Sequence, residues 1–199
     1  VRSSFSQHRT TVGRPASSKP NVMNVPRMLR DLFIPEDGNV YVGGDSGQIH
    51  MRIFASRWGV KSYLRCFDLN GDSHATTAAM IHGDRFRNAQ GMPPGVWIDP
   101  LTFVPEPGAD YTGSAKKLRD LAKRVAYASA YAATYQTVWR VITSAEDKRG
   151  NLIYAALGLP AVAEMHAQWL ANAPEIAKGW ETEMELFRRQ GFVREPVLG

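Results

Sequence analysis

The sequence contains a single cysteine, Cys66, among 199 residues. It therefore has no intramolecular disulfide and no zinc site built from paired cysteines, and we expect a reducing, cytoplasmic environment. No apolar run reaches the ~18 residues that a membrane span needs, and the N-terminus has no apolar signal region. Because the chain begins with Val1 and ends at Gly199 without a stopping element, we expect a piece of a longer protein.

Acidic residues are absent from the first 30 positions. The six cationic residues there are Arg2, Arg9, Arg14, Lys19, Arg27 and Arg30. A second cationic stretch covers residues 116–124 and is interrupted only by Asp120. Stretches of one charge sign attract polyanions such as nucleic acid, although a solvated surface is the commoner explanation of a charge run.

Several catalytic signatures are also missing, including the phosphate-binding Gly-x-x-x-x-Gly-Lys loop and the His-Glu-x-x-His zinc motif. The sequence GDSG at 44–47 matches the surroundings of the nucleophile in trypsin-like serine proteases. That chemistry needs a histidine base and a barrel of short strands, whereas the only histidine before Ser46 is His8, in a Ser- and Arg-rich segment. In the other interpretation of this segment, Asp45 ends an apolar strand and holds a metal ion.

Hydrophobic periodicity and capping residues predict a mostly helical body around a small strand element, which is class α+β. The predicted elements are a loop over 1–27, a short helix at 28–33, a strand at 40–42, a helix from after Asp45 to Trp58, a helix at 74–81 capped by Asp72 and Ser73, an irregular loop over 84–113, a long helix over 114–142 capped by Ser114, and helices at 151–158, 160–172 and 174–190.

The long predicted helix carries a cationic and aromatic stripe. Its members fall at successive steps of four residues and are Arg119, Lys123, Tyr127 and Tyr131. Each step rotates ~400°, so neighbours are offset by only ~40° and share one face. Two cations followed by two rings suit a nucleoside triphosphate, with the cations on the phosphates and the rings against sugar and base. On an isolated helix, core tyrosines and solvated cations are the alternative explanation.

Four stretches, in order along the chain, resemble motifs of the family A DNA polymerases, the bacterial DNA polymerase I type that phages also have. They are VGRPASSKPNVMNVP at 12–26, similar to a primer-template loop; GGDSGQIHMRI at 43–53, similar to the first catalytic motif; GDSHATTAAMIHG at 71–83, similar to a fingers segment; and RDLAKRVAYASAY at 119–131, similar to the nucleotide-binding fingers helix. The segment after that helix also resembles the family. One such match would be weak evidence, whereas four in the family's order are strong evidence.

The resemblance implies helical fingers with part of an antiparallel-sheet palm, in a truncated polymerase domain. Residues 1–60 would form the partial palm, and residues 61–199 the fingers, with the irregular loop at 84–113 and the nucleotide-binding helix at 114–142. The implied activity is templated addition of deoxynucleoside triphosphates to a primer 3′ end by two-metal-ion nucleotidyl transfer, in replication or repair. The alternative is a non-catalytic nucleic-acid-binding remnant of such a polymerase.

The resemblance also implies roles for individual residues, with primer-template DNA and deoxynucleoside triphosphates as partners and no membrane partner. Asp45 and the backbone carbonyl of Ser46 would hold Mg²⁺, of which the complete enzyme binds two ions. Asp45 and Lys123 would be catalytic. The implied nucleotide-binding residues are Gln48, His50, His74, Arg119, Lys123, Tyr127 and Tyr131. The implied DNA-binding residues are Arg14, Asn21 and Asn24.

Three departures from the family pattern affect these expectations. No histidine is followed by Asp, so the family's second catalytic carboxylate is missing and the chain alone is expected not to polymerise. His50 stands where the family has a Glu that closes against the tyrosine at the position of Tyr131 and excludes a ribose 2′-hydroxyl. Since the charge of histidine depends on pH, we expect weaker or pH-dependent rejection of ribonucleotides. Ala128 and Ala132 replace family glycines.

Overall fold

The structure is a computed structural model, and it describes residues 3–7, 15–44, 46–89, 111–147 and 149–191. The chain divides into two compact units, Val1–Asp45 and Ser46–Gly199. Together, the described residues agree with the predicted α+β class, because they contain a small antiparallel sheet and mostly helices. The assignment of residues 1–60 to a palm and 61–199 to fingers stays a prediction.

The first unit contains a two-stranded sheet. Strand β1 (Ser4–Ser6) pairs antiparallel with β2 (Ala16–Ser18), with Phe5 opposite Ser17. Two short 3-10 helices follow, Val22–Asn24 and Arg27–Leu32, and the second occupies most of the segment predicted as a short helix at 28–33.

The strand predicted at 40–42 is wrong. Val40, Tyr41 and Val42 have no regular secondary structure, and their side chains are 81%, 68% and 93% exposed. A strand forms only when a neighbouring strand accepts and donates its backbone hydrogen bonds, and no described residue does so here. The sequence composition favours a strand at this point, but the described residues supply no partner for it.

The second unit is built from helices. Those in the described residues are α1 (Ile49–Trp58), α2 (Lys61–Asp68), α3 (Ser73–His82), α4 (Asp84–Ala89), α5 (Gly113–Ser129), α6 (Tyr135–Thr143), α7 (Leu159–Asn172) and α8 (Pro174–Gln190). None of these described helices combines the length and the apolar character needed to cross a bilayer.

Helix α3 forms the centre of the core of the second unit. Every residue from Ser73 to Ile81 is buried, and α3 packs against α2, α4, α5 and α7. Its small side chains, such as Ala75, Ala78 and Ala79, let the neighbouring helices approach closely, because the space between two helix axes depends on the side chains at their contact. The core is therefore assembled around the helix that carries His74.

Buried polar groups join three of these helices. The Trp169 Nε1–H group donates to the Tyr63 hydroxyl oxygen at 2.8 Å, and the Tyr63 hydroxyl is 2.7 Å from Thr77 Oγ1. Thr77 Oγ1 donates to the Ser73 carbonyl at 2.7 Å, so the bonds run in one direction from α7 through α2 to α3. Burial raises the pKa of Tyr63 to about 12, which keeps its hydroxyl proton in place for this chain of bonds.

Helix α8 lies against α1. The Arg57 Nε–H group donates to Glu183 Oε1 at 2.6 Å, and this interaction holds the pKa of the Glu183 carboxyl below its usual value. One turn earlier on α8, Gly179 faces the indole of Trp58. A Cβ atom at Gly179 would lie 2.4 Å from Trp58 Cγ, so the two helices can adopt this spacing only with glycine at position 179.

Three predicted helices are confirmed to within one residue at each end. Helix α3 begins at Ser73, with the Asp72 side chain as its cap. Helices α7 and α8 occupy the predicted segments 160–172 and 174–190, and α8 ends at Gly191, whose φ of +74° is the left-handed conformation that glycine favours.

The long helix predicted over 114–142 is wrong, because the segment forms two helices. Helix α5 ends at Ser129, α6 begins at Tyr135, and Ala132 between them adopts a left-handed φ of +58°. Helix α5 also begins at Gly113, after Thr112, so Ser114 is not its cap. The turn at 130–134 was not predictable from propensity, since Ala and Tyr both tolerate helices.

Two other predictions need correction. The loop predicted over 84–113 contains α4 at Asp84–Ala89, and residues 90–110 lie outside the described residues. The helix predicted at 151–158 is wrong, because Leu152 pairs with Glu146 in an isolated antiparallel bridge. The Asp147 carboxylate accepts from the backbone N–H groups of Arg149 and Asn151, and it thereby stabilises a turn instead.

Candidate functional site

The starts of α1 and α3 are tied together by side chains. Gln48, which precedes α1, has a left-handed backbone with φ 59°, and its Oε1 atom accepts from the Ser73 N–H at 2.8 Å. Asp72 Oδ1 accepts from the His74 N–H at 2.9 Å. Both contacts satisfy N–H groups at the start of α3 that have no partner inside the helix. Gln48 and His74, two predicted nucleotide-binding residues, are thereby held close together.

Helix α5 reaches the same place through Arg119. Its Nε–H group donates to Asp72 Oδ2 at 2.6 Å, and its Nη1 atom lies 3.6 Å from Asp120 Oδ1. The guanidinium carbon is 5.4 Å from the centre of the Tyr111 ring. The Arg119 side chain is 22% exposed, so it is partly shielded yet open to a ligand.

Tyr127 of α5 packs beside two imidazole rings. Its ring centre is 5.5 Å from that of His74 on α3 and 5.7 Å from that of His50 on α1, the latter edge-on. Lys123 Nζ lies 5.7 Å from the centre of the Tyr127 ring. Three helices thus contribute a lysine, a tyrosine and two histidines to one cluster.

The His74 imidazole is uncharged at neutral pH. Burial lowers its pKa to about 4; the Asp72 carboxylate opposes that shift, and the cations Lys123 and Arg119 reinforce it. His74 is 4% exposed, and its Nδ1 atom has no hydrogen-bond partner among the described residues. A neutral imidazole can donate one hydrogen bond and accept another without carrying a charge.

The predicted stripe is only partly formed by a continuous helix. Arg119, Lys123 and Tyr127 lie on α5, whereas Tyr131 lies in the turn after it and is 69% exposed. The Tyr131 ring packs edge-on against Phe54 of α1, with ring centres 5.9 Å apart. His50, at the position of the family's glutamate, contacts the Tyr127 ring, as described above. Tyr127 lies one helical turn before Tyr131, the tyrosine that the resemblance had paired with this position.

A cavity of about 720 Å³ runs along the flank of α5. Its lining residues are Lys117, Asp120, Lys123, Arg124, Tyr127, Ala128, Val141, Ile142, Ile153 and Tyr154. The Arg124 guanidinium carbon lies 5.6 Å from the Tyr154 ring centre. The cavity therefore shares Lys123 and Tyr127 with the cluster and adds further positive charge beside it.

Two predicted site residues, Asp45 and Arg14, lie outside the described residues. Ser46 is exposed, and in the part of the chain that the structure describes, no group of three or more His, Cys, Asp or Glu side chains is arranged to hold a metal ion. The predicted metal site therefore stays a prediction.

Of the predicted DNA-binding residues, Asn21 and Asn24 lie in the first unit and are exposed. Asn21 Oδ1 accepts from the Ser17 hydroxyl at 2.7 Å, which ties Asn21 to strand β2. Its amide nitrogen is the side-chain group that would reach DNA, and its role in doing so stays a prediction.

Two residues of the cluster were not predicted as part of a site. The sequence indicated Asp72 only as a helix cap, and its ion pair with Arg119 spans 47 positions along the chain. No sequence pattern marks Tyr111 as part of a site. The position of Asp72 two residues before His74 was the available signal, but local sequence does not reveal a partner on another helix.

Comparison with known proteins finds matches for the first part of the chain. Residues 1–91 match the sequence model described as DNA polymerase family A. This part of the chain, called the family A segment below, is similar to DNA polymerase family A. The recognition made from the motifs is confirmed, and the family A segment includes α1, α3, Gln48, His50 and His74. The family A segment ends before α5. The roles predicted for the cations of that helix therefore rest on the motif resemblance at 119–131.

Three relatives of the family A segment illustrate the similarity. DNA polymerase I of Caldicellulosiruptor bescii is 37% identical over 89 residues, which cover 42% of this chain and 10% of that protein. DNA polymerase I of Borreliella burgdorferi is 33% identical over 87 residues, 41% of this chain and 10% of its own length. The thermostable DNA polymerase I of Thermus aquaticus is 35% identical over 85 residues, 40% of this chain and 10% of its own length. The chain thus matches about a tenth of the length of these relatives.

Proposed function

We propose that the chain is the nucleotide-binding part of a DNA-directed DNA polymerase. The parent reaction would be templated addition of a deoxynucleotide to a primer 3′ end with release of pyrophosphate. The observation that supports this proposal best is the convergence of Arg119 and Lys123 with neutral His74 beside the Tyr127 ring. A triphosphate needs cations and hydrogen-bond donors, and a nucleoside needs an apolar ring surface.

Each group has a distinct task in this proposal. Arg119 and Lys123 bind phosphate oxygens, and His74 donates a hydrogen bond to the same tail without adding charge. Lys123 also carries a proton that it can donate to the departing pyrophosphate, which is general acid catalysis. Tyr127 packs against the sugar and base. Arg14, Asn21 and Asn24 would contact primer-template DNA.

Magnesium would be held by Asp45 and the Ser46 backbone carbonyl. A carboxylate and a carbonyl are the hard oxygen donors that Mg²⁺ prefers, so the donor chemistry fits the ion. When bound, the two ions of such an enzyme activate the primer hydroxyl and neutralise the leaving pyrophosphate. Because the family's second carboxylate is absent from the sequence, nucleotide binding rather than polymerisation is the measurable activity of this chain.

The first prediction concerns binding of a deoxynucleoside triphosphate in the presence of Mg²⁺. We expect Arg119→Ala and Lys123→Ala each to weaken that binding about tenfold, since each removes a charge-assisted contact to phosphate. Isothermal titration calorimetry measures the dissociation constants. Both substitutions should weaken binding of the corresponding nucleoside monophosphate much less.

The control is Lys116→Ala. Lys116 is on the same helix and carries the same charge, but it is exposed and does not line the cavity that contains Lys123 and Tyr127. We expect at most a twofold effect, in line with long-range charge alone. Equal losses of triphosphate affinity in the three variants would show that positive charge attracts the nucleotide nonspecifically. That result would contradict the proposed site.

The second prediction concerns His50. Its edge-on contact with Tyr127 places it where the sugar would lie in this proposal. We expect the ratio of deoxyribo- to ribonucleoside triphosphate affinity to rise about threefold or more in His50→Glu. Competition titrations provide the ratios, with His50→Gln as an uncharged control. A ratio that is identical in wild type and His50→Glu would rule out a sugar-selecting role.

A further inference from the structure

Asp72 uses its two carboxylate oxygens for two different helices. Oδ1 accepts from the His74 backbone N–H at the start of α3, and Oδ2 accepts from Arg119 on α5. The side chain is 19% exposed, so solvent screens these contacts only in part. A single carboxylate therefore joins the backbone of one predicted phosphate-binding residue to the side chain of another.

The contact with Asp72 restricts the Arg119 guanidinium. This group is planar, with five N–H donors in a fixed arrangement. The Nε edge is bound to Asp72, Nη1 points towards Asp120, and the plane lies near the Tyr111 ring. A free arginine side chain samples many rotamers and loses them when it binds a ligand, whereas a side chain that is already held loses fewer.

We propose that Asp72 is a positioning residue for triphosphate recognition, which holds Arg119 in one orientation and at a fixed place relative to His74 before the nucleotide binds. This inference rests on the proposed function and extends it to a residue that would not itself touch the nucleotide. Two effects of Asp72 oppose each other: its negative charge repels a triphosphate, and its hydrogen bond orients the cation that binds one. The inference states that orientation outweighs repulsion.

The test is Asp72→Asn, combined with Arg119→Ala in a double-mutant cycle. Asparagine keeps a side-chain oxygen that can cap α3 but removes the ion pair. We expect Asp72→Asn to weaken binding of a deoxynucleoside triphosphate about fivefold, the effect of immobilising one rotamer-rich side chain on binding. In the Arg119→Ala background the same substitution should have no further effect, because Asp72 acts through Arg119. Unchanged or tighter binding, or an equal loss in both backgrounds, would overturn the inference.

A second measurement needs no nucleotide. In the NMR spectrum of the wild-type chain, the Arg119 Nε–H signal should exchange slowly with water, and Asp72→Asn should accelerate that exchange at least severalfold. Equally fast exchange in both proteins would also overturn the inference. If Asp72→Asn does not fold, as judged by circular dichroism, Asp72→Ser replaces it, since serine is a strong helix cap.

The two proposals can fail separately. A wild-type chain that binds no triphosphate contradicts the proposed function and this inference together. A chain that binds triphosphate and is weakened by Arg119→Ala, but is insensitive to Asp72→Asn, contradicts only the positioning role.

Discussion

Acidification from pH 7 to pH 4 is expected to lower the free energy of unfolding of the second unit by several kcal/mol. Burial, with the nearby cations Lys123 and Arg119, outweighs Asp72 and lowers the pKa of His74 to about 4. Burial and Arg85 lower the pKa of His82 to about 4, against a backbone contact from Leu118. Each histidine, with an ordinary pKa of about 6.5, can therefore contribute as much as about 3 kcal/mol.

The sign follows from proton binding. Between about pH 6.5 and pH 4 the unfolded chain binds a proton at each histidine that the folded chain does not bind, so stability falls as pH falls through this window. Above about pH 6.5 both forms are neutral at these positions and the contribution is complete. Arg57 holds the pKa of the Glu183 carboxyl below its usual value of about 4.5. This carboxyl therefore lowers the free energy of unfolding only when the pH falls below about 4.5.

Urea unfolding at pH 7, 6, 5 and 4.5 measures the effect. The variants His74→Gln and His82→Gln should each flatten the pH dependence of the free energy of unfolding, and part of that dependence should remain in each because burial also lowers the pKa of His166. Imidazole proton shifts in NMR spectra report the two pKa values directly. Constant stability from pH 7 to 4.5 would contradict the prediction.

Gly179→Ala is expected to destabilise the fold by about 2 kcal/mol, although alanine normally stabilises a helix interior by about 1 kcal/mol relative to glycine. The reason is steric. The added methyl group would lie 2.4–2.6 Å from three atoms of the Trp58 indole, at the base of the side chain rather than at its flexible end. Either the ring or α8 must move, and the Arg57–Glu183 ion pair in the same interface must then adjust as well.

Two controls isolate this contact. Gly47→Ala adds a methyl group where no atom lies within 4 Å and where the backbone has no positive φ, so it should change stability by less than about 0.5 kcal/mol. In a Trp58→Leu background, Gly179→Ala should cost little or stabilise the chain, because the obstructing ring is gone. Thermal or urea unfolding measures the stability of Gly179→Ala, Gly47→Ala, Trp58→Leu and the Trp58→Leu/Gly179→Ala double variant. A Gly179→Ala variant as stable as wild type would show that α8 can shift freely.

Local sequence predicted those elements of the fold whose signals are local. Asp72 before a run of small residues marked the start of α3, and Gly191 after an amphipathic run marked the end of α8. The strand predicted at 40–42 depended on a partner elsewhere, and the break after Ser129 depended on a left-handed alanine, which no local rule favours. Both errors concern contacts or conformations set by the tertiary structure.

In the candidate site, too, local sequence predicted local relations but not contacts between helices. The spacing of Arg119, Lys123 and Tyr127 predicted that they share a helix face, because helix geometry fixes that relation. The pairing of Tyr127 with His50 and His74, and of Arg119 with Asp72, joins separate helices and could not be obtained from spacing. The roles of Asp45 and Arg14 rest on family resemblance alone.

The left-handed residue between α5 and α6 has an energetic consequence. Glycine adopts positive φ freely, whereas alanine at position 132 does so against its own preference, at a cost of about 1–2 kcal/mol. The packing of α6 against α5 and α7 must outweigh this cost for the turn to persist.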